Sequence, residues 1–240
     1  MLTIGLLGLR FADWGVEAAA AWIAARPALA PFGYVVTPNA DHLVRLGRDP
    51  SLVALYEAAS LRLLDSRVVA RAARLLGRPA PRVATGSDVT AALFARHIPR
   101  WERITIVGMR PNHLQALVAR TSIAPPHHYD PPMGFEHDPG AMREAVAFVL
   151  AHPARLTFLA VGSPRQEMLA AAIAATGRAQ GTGLCIGAAL EFLAGVQPRA
   201  PGWMQAAGLE WLFRLSREPG RLGRRYLIDC PAVFRMLARV

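Results

Sequence analysis

Thr37, Asn39 and Asp65 are the residues of this chain whose types and spacing best fit proton-transfer chemistry. Phe32-Gly33-Tyr34-Val35-Val36 is a short apolar, β-branched run that ends on Thr37-Pro38-Asn39. Leu61-Arg62-Leu63-Leu64 is a second apolar run, and it ends on Asp65-Ser66. Between them lies room for about two helices, the crossover that a parallel strand pair needs. In an open parallel sheet the ligand crevice lies beyond the carboxyl ends of the strands. Both polar tips are therefore expected to face that crevice, with the three side chains near one another. A carboxylate so placed can take a proton from a hydroxyl. The plainer alternative is that Thr37-Pro38-Asn39 caps one helix and Asp65 the next, because residues of these types are common caps. On these residues alone both readings stay open.

Other strand ends carry similar tips. Arg103 to Gly108 reads as a buried strand with Arg110-Pro111-Asn112 after it, and Leu156 to Val161 leads into Gly162-Ser163-Pro164-Arg165-Gln166-Glu167. A strand, a turn and a helix start leave backbone N–H groups for a phosphate, with Arg165 adding charge; Gln166 and Glu167 can hydrogen-bond a sugar or a base. An ordinary strand-to-helix turn with a proline at its first helical position is the competing explanation. Neither a dinucleotide-binding GxGxxG nor a Walker A loop is present. No Asp-X-Asp pair occurs, so the common carboxylate cage for a metal–diphosphate is missing. His127, His128, Asp130, His137 and Asp138 could be drawn as a metal cluster, but their spacing matches no familiar set. They read better as polar residues of a loop, and no metal or other cofactor is expected.

The elements that must position these tips alternate along the chain. Met1 to Leu9 reads as a first apolar strand, with Asp13 capping a helix from Val16 to Ala25. Helices are expected over Asp41–Arg48, Ser51–Ala59, Val68–Leu76, a stretch capped by Gly86-Ser87-Asp88, and Ala141–Leu150. Thr121 to Pro139 holds five prolines and reads as a loop over the crevice. Leu184 to Gly187 reads as the last strand. Strands alternating with helices predict a Rossmann-like parallel sheet covered on both faces, followed by a helical appendage. Residues 1–195 would form the catalytic domain and 196–240 the appendage, with Pro198 to Pro201 as the hinge.

At 240 residues, 53% of them hydrophobic, the chain can bury a large core. Its two cysteines, Cys185 and Cys230, suggest no disulfide framework, and no run is long and apolar enough to span a bilayer. The first nine residues lack a basic leader and a cleavage pattern, so a cytoplasmic protein is expected. The net charge is +10 and all 27 basic residues are arginine, which implies an anionic partner. Eight of those arginines follow Val196, against Glu210, Glu218 and Asp229. Trp203, Leu209, Trp211, Leu212 and Leu215 interleave with Arg214, Arg217, Arg221, Arg224 and Arg225. That mixture suits a helix at a membrane interface, arginines that fold over a diphosphate, or a docked helix with a solvated basic face.

Several motifs stand in one order: Thr37-Pro-Asn-Ala-Asp-His-Leu43, Asp65-Ser-Arg-Val68, Pro131-Pro-Met-Gly-Phe135, Gly162-Ser-Pro-Arg-Gln-Glu167, Gly187-Ala-Ala189, Phe192-Leu-Ala-Gly195, Arg199-Ala-Pro201, Gly208-Leu-Glu-Trp211 and Arg224-Arg-Tyr-Leu227. In that order the chain resembles the WecG/TagA/CpsF family of bacterial glycosyltransferases over roughly residues 2 to 230. The resemblance implies an inverting, metal-independent transfer of a sugar from a UDP-sugar to a polyprenyl-diphosphate-linked sugar. It would act on the inner face of the bacterial plasma membrane, reached through residues 196–240. The family's base falls on Asp65, with Thr37 and Asn39 beside it, and a family active-site glutamine falls on Gln166. Arg214, Arg221 and either Arg224 or Arg225 match those expected to close over the diphosphate. Many members carry Asp-Gly at Asp65-Ser66 and Phe-Asp at Leu190-Glu191; the Asp-Ser-Arg form and Met133 lean toward the exopolysaccharide, xanthan-type members. Further partners would be a second copy of the chain, if it forms a homo-oligomer, but not nucleic acid.

Two rivals remain at the level of sequence. A Rossmann-type oxidoreductase would need the nucleotide fingerprint that is missing, and a nicotinamide titration would identify it. A non-catalytic nucleic-acid or membrane adaptor would account for the charge but would leave the polar strand tips unexplained.

Overall fold

The computed structural model describes residues 2–217, 219–224 and 231–239. The chain opens on a hairpin of its own, β1 (Thr3–Leu6) paired antiparallel with β2 (Leu9–Ala12). The expected single strand over residues 1–9 is therefore split. Leu7 and Gly8 both take positive φ, 48° and 83°, the geometry of a two-residue hairpin turn. Asp13 does not cap α1 (Val16–Ala25), whose N-cap is Gly15; its carboxylate accepts the Arg82 backbone N–H at 2.8 Å instead.

The main body then alternates as expected: β3 (Gly33–Val36), α2 (Ala40–Arg48), α3 (Val53–Glu57), β4 (Leu61–Arg62), α4 (Arg67–Leu75), α5 (Gly86–Arg96), β5 (Thr105–Gly108) and α6 (Pro111–Thr121). It continues with β6 (His127–Tyr129), α7 (Pro139–Ala151), β7 (Leu156–Ala160), α8 (Arg165–Ala175), β8 (Thr182–Cys185) and α9 (Ala189–Leu193). Among the described residues the main sheet is six-stranded, in the order β4-β3-β8-β7-β5-β6, and every pair in it is parallel. The fold is α/β and Rossmann-like.

Both faces of the sheet are covered, as parallel sheets require. Tyr34, Val36, Val107, Leu159 and Cys185 turn into one buried cluster, whereas Val35, Ile106, Phe158 and Leu184 turn into the other. This is the period of two expected along a pleated strand, and it explains why the strands read as continuous apolar runs.

The stretch from Thr121 to Pro139 is more ordered than a loop. β6 lies within it as the sheet's edge strand, its His127 N–H donating to the Ile104 carbonyl at 3.0 Å. The His127 ring packs on His152 and the Tyr129 ring stacks on Phe148, so aromatic contacts replace the β-branched side chains that usually announce a strand.

After Ala194 come α10 (Gly202–Ala207), α11 (Glu210–Arg217), α12 (Pro219–Arg224) and α13 (Ala232–Arg239). The last of these packs on α2 and α4 and buries Val233 and Leu237. Among the described residues no helix is long and apolar enough to cross a membrane.

Candidate active site

The carboxyl ends of β3, β4 and β8 meet because these strands are neighbours, and their tips build the site. The Asp65 backbone N–H donates to the Pro38 carbonyl at 3.0 Å, and the Leu63 N–H to the Val36 carbonyl at 3.0 Å, tying the two tips together. Asp65 Oδ2 accepts the Gly86 N–H at 3.1 Å. Gly86 is the first residue of α5, where backbone N–H groups lack helical partners and favour an anion. A Cβ added at Gly86 would stand 2.8 Å from Thr37 Oγ1 and 3.6 Å from Asp65 Oδ2. The Thr37 hydroxyl and the Asp65 carboxylate thus both border the space that Gly86 leaves open. Thr37 Oγ1 also lies 3.4 Å from the Cys185 carbonyl at the tip of β8.

Asn39 does the work of a cap. Its Oδ1 accepts the N–H groups of Asp41 and His42 at 3.0 and 3.3 Å, starting α2. Asp65 does not cap the next helix; Ser66 Oγ does, accepting the Val69 N–H at 3.2 Å. The choice between cap and chemistry that the sequence leaves open is divided between neighbours: Ser66 caps α4, and the Asp65 carboxylate takes the Gly86 N–H instead.

The tip of β7 sits beside this pair. Gly162 takes a φ of 79°, and Pro164, rather than opening α8, is its N-cap. Ser163 Oγ is held from α2 and α3: it accepts from Arg45 Nη1 at 3.0 Å and lies 3.2 Å from the Tyr56 hydroxyl. Arg45 in turn pairs with Asp41 at 2.8 Å. Burial drives the Tyr56 phenol well above its ordinary range, with the Glu167 charge adding to it, so it stays a donor. Arg165 is half-buried, with Nη1 3.2 Å from Met133 Sδ and Nε 3.9 Å from Glu136, which brings the Pro131–Phe135 segment to the site. Arg110 stands exposed at the N-cap of α6, beyond the tip of β5.

Gln166 and Glu167 lie beneath the site rather than open to it, at 2% and 0% exposure. Gln166 Nε2 donates to Glu167 Oε1 at 2.8 Å, while its Oε1 accepts the Gly187 N–H at 2.9 Å and so braces the turn after β8. Glu167 Oε2 is buried with no hydrogen-bond partner. Burial pushes the Glu167 carboxyl up, against the hydrogen bonds from Gln166 and Ser163 that would lower it.

The C-terminal segment is fastened to the same corner. Arg199 Nη2 meets Asp88 Oδ1 at 2.6 Å, and Arg67 Nη2 lies 3.6 Å from Oδ2. Burial alone would raise Asp88, but hydrogen bonds with Arg199 and Thr85 and the charges of Arg199 and Arg67 hold it below the usual carboxylate value. Arg71 donates to the carbonyls of Ala206 and Ala207. The side chains of Arg214, Arg221 and Arg224, and the whole of Arg225, lie outside the described residues.

Gly86, Arg45, Tyr56, Asp88 and Arg199 are additions that the site's chemistry did not single out in the sequence. Arg45 had one signal: it is four residues after Asp41, on the helix that the Asn39 cap begins. Two of the residues considered as metal ligands have other occupations. His128 Nε2 lies within hydrogen-bond distance of the Gly108 and Met109 carbonyls, and Asp138 caps α7. Among the described residues no group of three or more His, Cys, Asp or Glu side chains is arranged to hold a metal ion.

A family model described as the glycosyl transferase WecG/TagA/CpsF family matches residues 4–240, from the opening hairpin to the C-terminal helices. That span includes the strand tips and the segment clamped by Asp88, and it sets aside the oxidoreductase and adaptor alternatives. The chain belongs to the WecG/TagA/CpsF family, and it is a glycosyltransferase of the hexosyltransferase type.

Proposed function

We propose that the protein transfers a hexosyl group from a UDP-sugar, with inversion, to a sugar carried on a polyprenyl diphosphate, in the synthesis of an exopolysaccharide or another cell-surface polysaccharide. The donor is UDP-glucose or a UDP-N-acetylmannosamine-type sugar. One observation carries the reading: the Asp65 carboxylate, pinned by the Gly86 amide, and the Thr37 hydroxyl both border Gly86 at the meeting of two strand tips. Asp65 takes the proton of the acceptor hydroxyl as its oxygen attacks the anomeric carbon. The bond from that carbon to the diphosphate oxygen breaks on the opposite face, and UDP leaves. Thr37 and Asn39 line the acceptor side.

The departing diphosphate gains negative charge and needs positive partners. Arg110, Arg165 and the backbone N–H groups of Ser163 and Arg165, with the Ser163 hydroxyl set by Arg45 and Tyr56, supply them from the sheet. Gln166 and Glu167 hold the floor of this subsite. Arg214, Arg221 and either Arg224 or Arg225, of the appendage at residues 196–240, would add their charge to that of a catalytic unit of residues 1–195. Closing positive charge over the donor only when the lipid is present limits wasteful hydrolysis. The enzyme would then work on the inner face of the plasma membrane.

The test is UDP release from a panel of UDP-sugars, with and without a short-chain polyprenyl-diphosphate-glucose acceptor in vesicles. Acceptor-dependent release from one donor supports the reading and names the sugar. Release that is equal with and without acceptor, or silence with both glucose- and GlcNAc-bearing acceptors, contradicts it.

A further inference from the structure

From Ser66 to Ser87 the chain carries Arg67, Arg71, Arg74, Arg78 and Arg82 and no aspartate or glutamate. α4 lies at the centre of this stretch. One face of it is core, where Val69, Ala70, Ala72 and Ala73 are buried. Arg67, Arg71, Arg74 and Leu75 recur at the spacing of the opposite face. Leu75 is 87% exposed and Leu76 is 49% exposed, so two adjacent leucines end the helix in solvent with Arg74 before them and Arg78 after. Arg78 Nε is buried without a hydrogen-bond partner. Beside it a cavity of about 440 Å³ opens between the hairpin turn, Pro79 and α13, lined by Leu6, Leu7, Arg10 and Leu237. Arg71 fixes α10 against the same face through the Ala206 and Ala207 carbonyls, and α10 presents Trp203 at 67% exposure.

We infer that the C-terminal end of α4, with the turn that follows it and the neighbouring Trp203 of α10, is a docking surface for an anionic bilayer, in addition to any contact made by the rest of the appendage. Leu75, Leu76 and Trp203 enter the interfacial layer, and Arg74, Arg78 and Arg10 meet lipid phosphates. Arginines around an apolar tip are the composition that binds such a surface. The leucines decide between anionic partners: the groove of a nucleic acid gives them nothing to bury against, whereas acyl chains do. An exposed apolar tip that the core does not use marks an interaction surface. α4 begins at Arg67, directly after the Asp65-Ser66 tip, and is about 14 Å long at 1.5 Å per residue. A rigid helix held on the headgroups would keep Asp65 near the plane where a lipid diphosphate lies; this last point rests on the function proposed above, and the docking surface does not.

Co-sedimentation of the full chain with vesicles tests it without any sugar chemistry. Phosphatidylcholine vesicles containing phosphatidylglycerol should bind the protein at least tenfold more tightly than phosphatidylcholine alone. Leu75→Ser with Leu76→Ser, at exposed positions, should weaken that binding by about tenfold or more. Arg74→Gln and Arg78→Gln should each weaken it about fivefold. All should keep wild-type UDP release with a water-soluble acceptor analogue, and only release from vesicle-borne acceptor should fall. Wild-type protein that ignores anionic vesicles would overturn the inference, as would unchanged binding in both the leucine and the arginine variants. Binding to duplex DNA as tight as to the vesicles, insensitive to the leucine substitutions, would overturn it too.

Discussion

At the scale of single residues, the site depends on what Gly86 lacks. Its missing Cβ lets the Thr37 hydroxyl and the Asp65 carboxylate approach from two strands, while its N–H sets the carboxylate's direction. Gly86→Ala puts a methyl 2.8 Å from Thr37 Oγ1, so the two must move apart, and in the proposed proton-transfer site a misplacement approaching about 1 Å costs about 10²-fold in rate. Turnover of the variant, with circular dichroism to show that it is folded, checks this. Glu167 gives a prediction in pH. Its carboxyl is raised in the folded state, so the unfolded chain ionises first as pH climbs past about 4.3. Stability tied to the neutral form is complete below that value and declines as pH rises through the folded value. Glu167→Gln keeps an uncharged side chain with an acceptor for Gln166, so its melting temperature should gain on wild type at pH 7–8 relative to pH 4–5. A difference that does not change with pH would refute the assignment. Asp65 was legible because a lone carboxylate at a strand end stands out among apolar residues. Arg45 and Tyr56 were not, because Ser163, the atom they share, is more than a hundred positions away in the chain.

At the scale of elements, α5 links two tasks. Its first residue holds Asp65, and Asp88, in its first turn, holds Arg199 at the root of the C-terminal segment. Asp88→Asn removes one charge of a half-buried pair and should cost about 1–3 kcal/mol. It should also loosen residues 196–217 and lower acceptor-dependent turnover; faster proteolysis near Arg199 reports the first effect directly, and Asp88→Ala with Arg199→Ala should cost less than the sum of the two single changes. The elements differ in how plainly their sequences announce them, for physical reasons. β3, β5 and β7 are buried on both faces and announce themselves as apolar runs. The opening hairpin reads as one strand in the sequence because Leu7 sits at its turn, a residue type that seldom takes positive φ. β6 reads as loop in the sequence because its pairing partner is distant and its own residues, His127-His128-Tyr129, gain support as a strand from ring contacts with Phe148 of α7 and its C-cap His152.

At the scale of the whole molecule, alternation of strand and helix was enough to give a parallel sheet, but not the order of its strands, which depends on non-local packing. The placement of β8 between β3 and β7 brings Cys185 and Gly187 to the site. The boundary drawn after residue 195 also takes on a cost. α13 belongs to the appendage by sequence, yet Val233 and Leu237 are buried against α2 and α4. Removing residues 196–240 should therefore destabilise the remainder by about 3–6 kcal/mol, from the two side chains' contacts alone. A shorter change, Arg214→Gln with Arg221→Gln, separates closure from folding: turnover should fall while the melting temperature stays within about 2 °C.

The role of Asp65 as the base is tested most directly by Asp65→Asn, assayed in parallel for acceptor-dependent UDP release and for UDP affinity by calorimetry. The amide keeps an oxygen for the Gly86 N–H but cannot take the acceptor's proton. Release should fall by about 10²- to 10⁴-fold, with UDP affinity within about threefold of wild type. Release at the wild-type rate, with UDP still bound, would contradict the assignment of the base and the mechanism built on it.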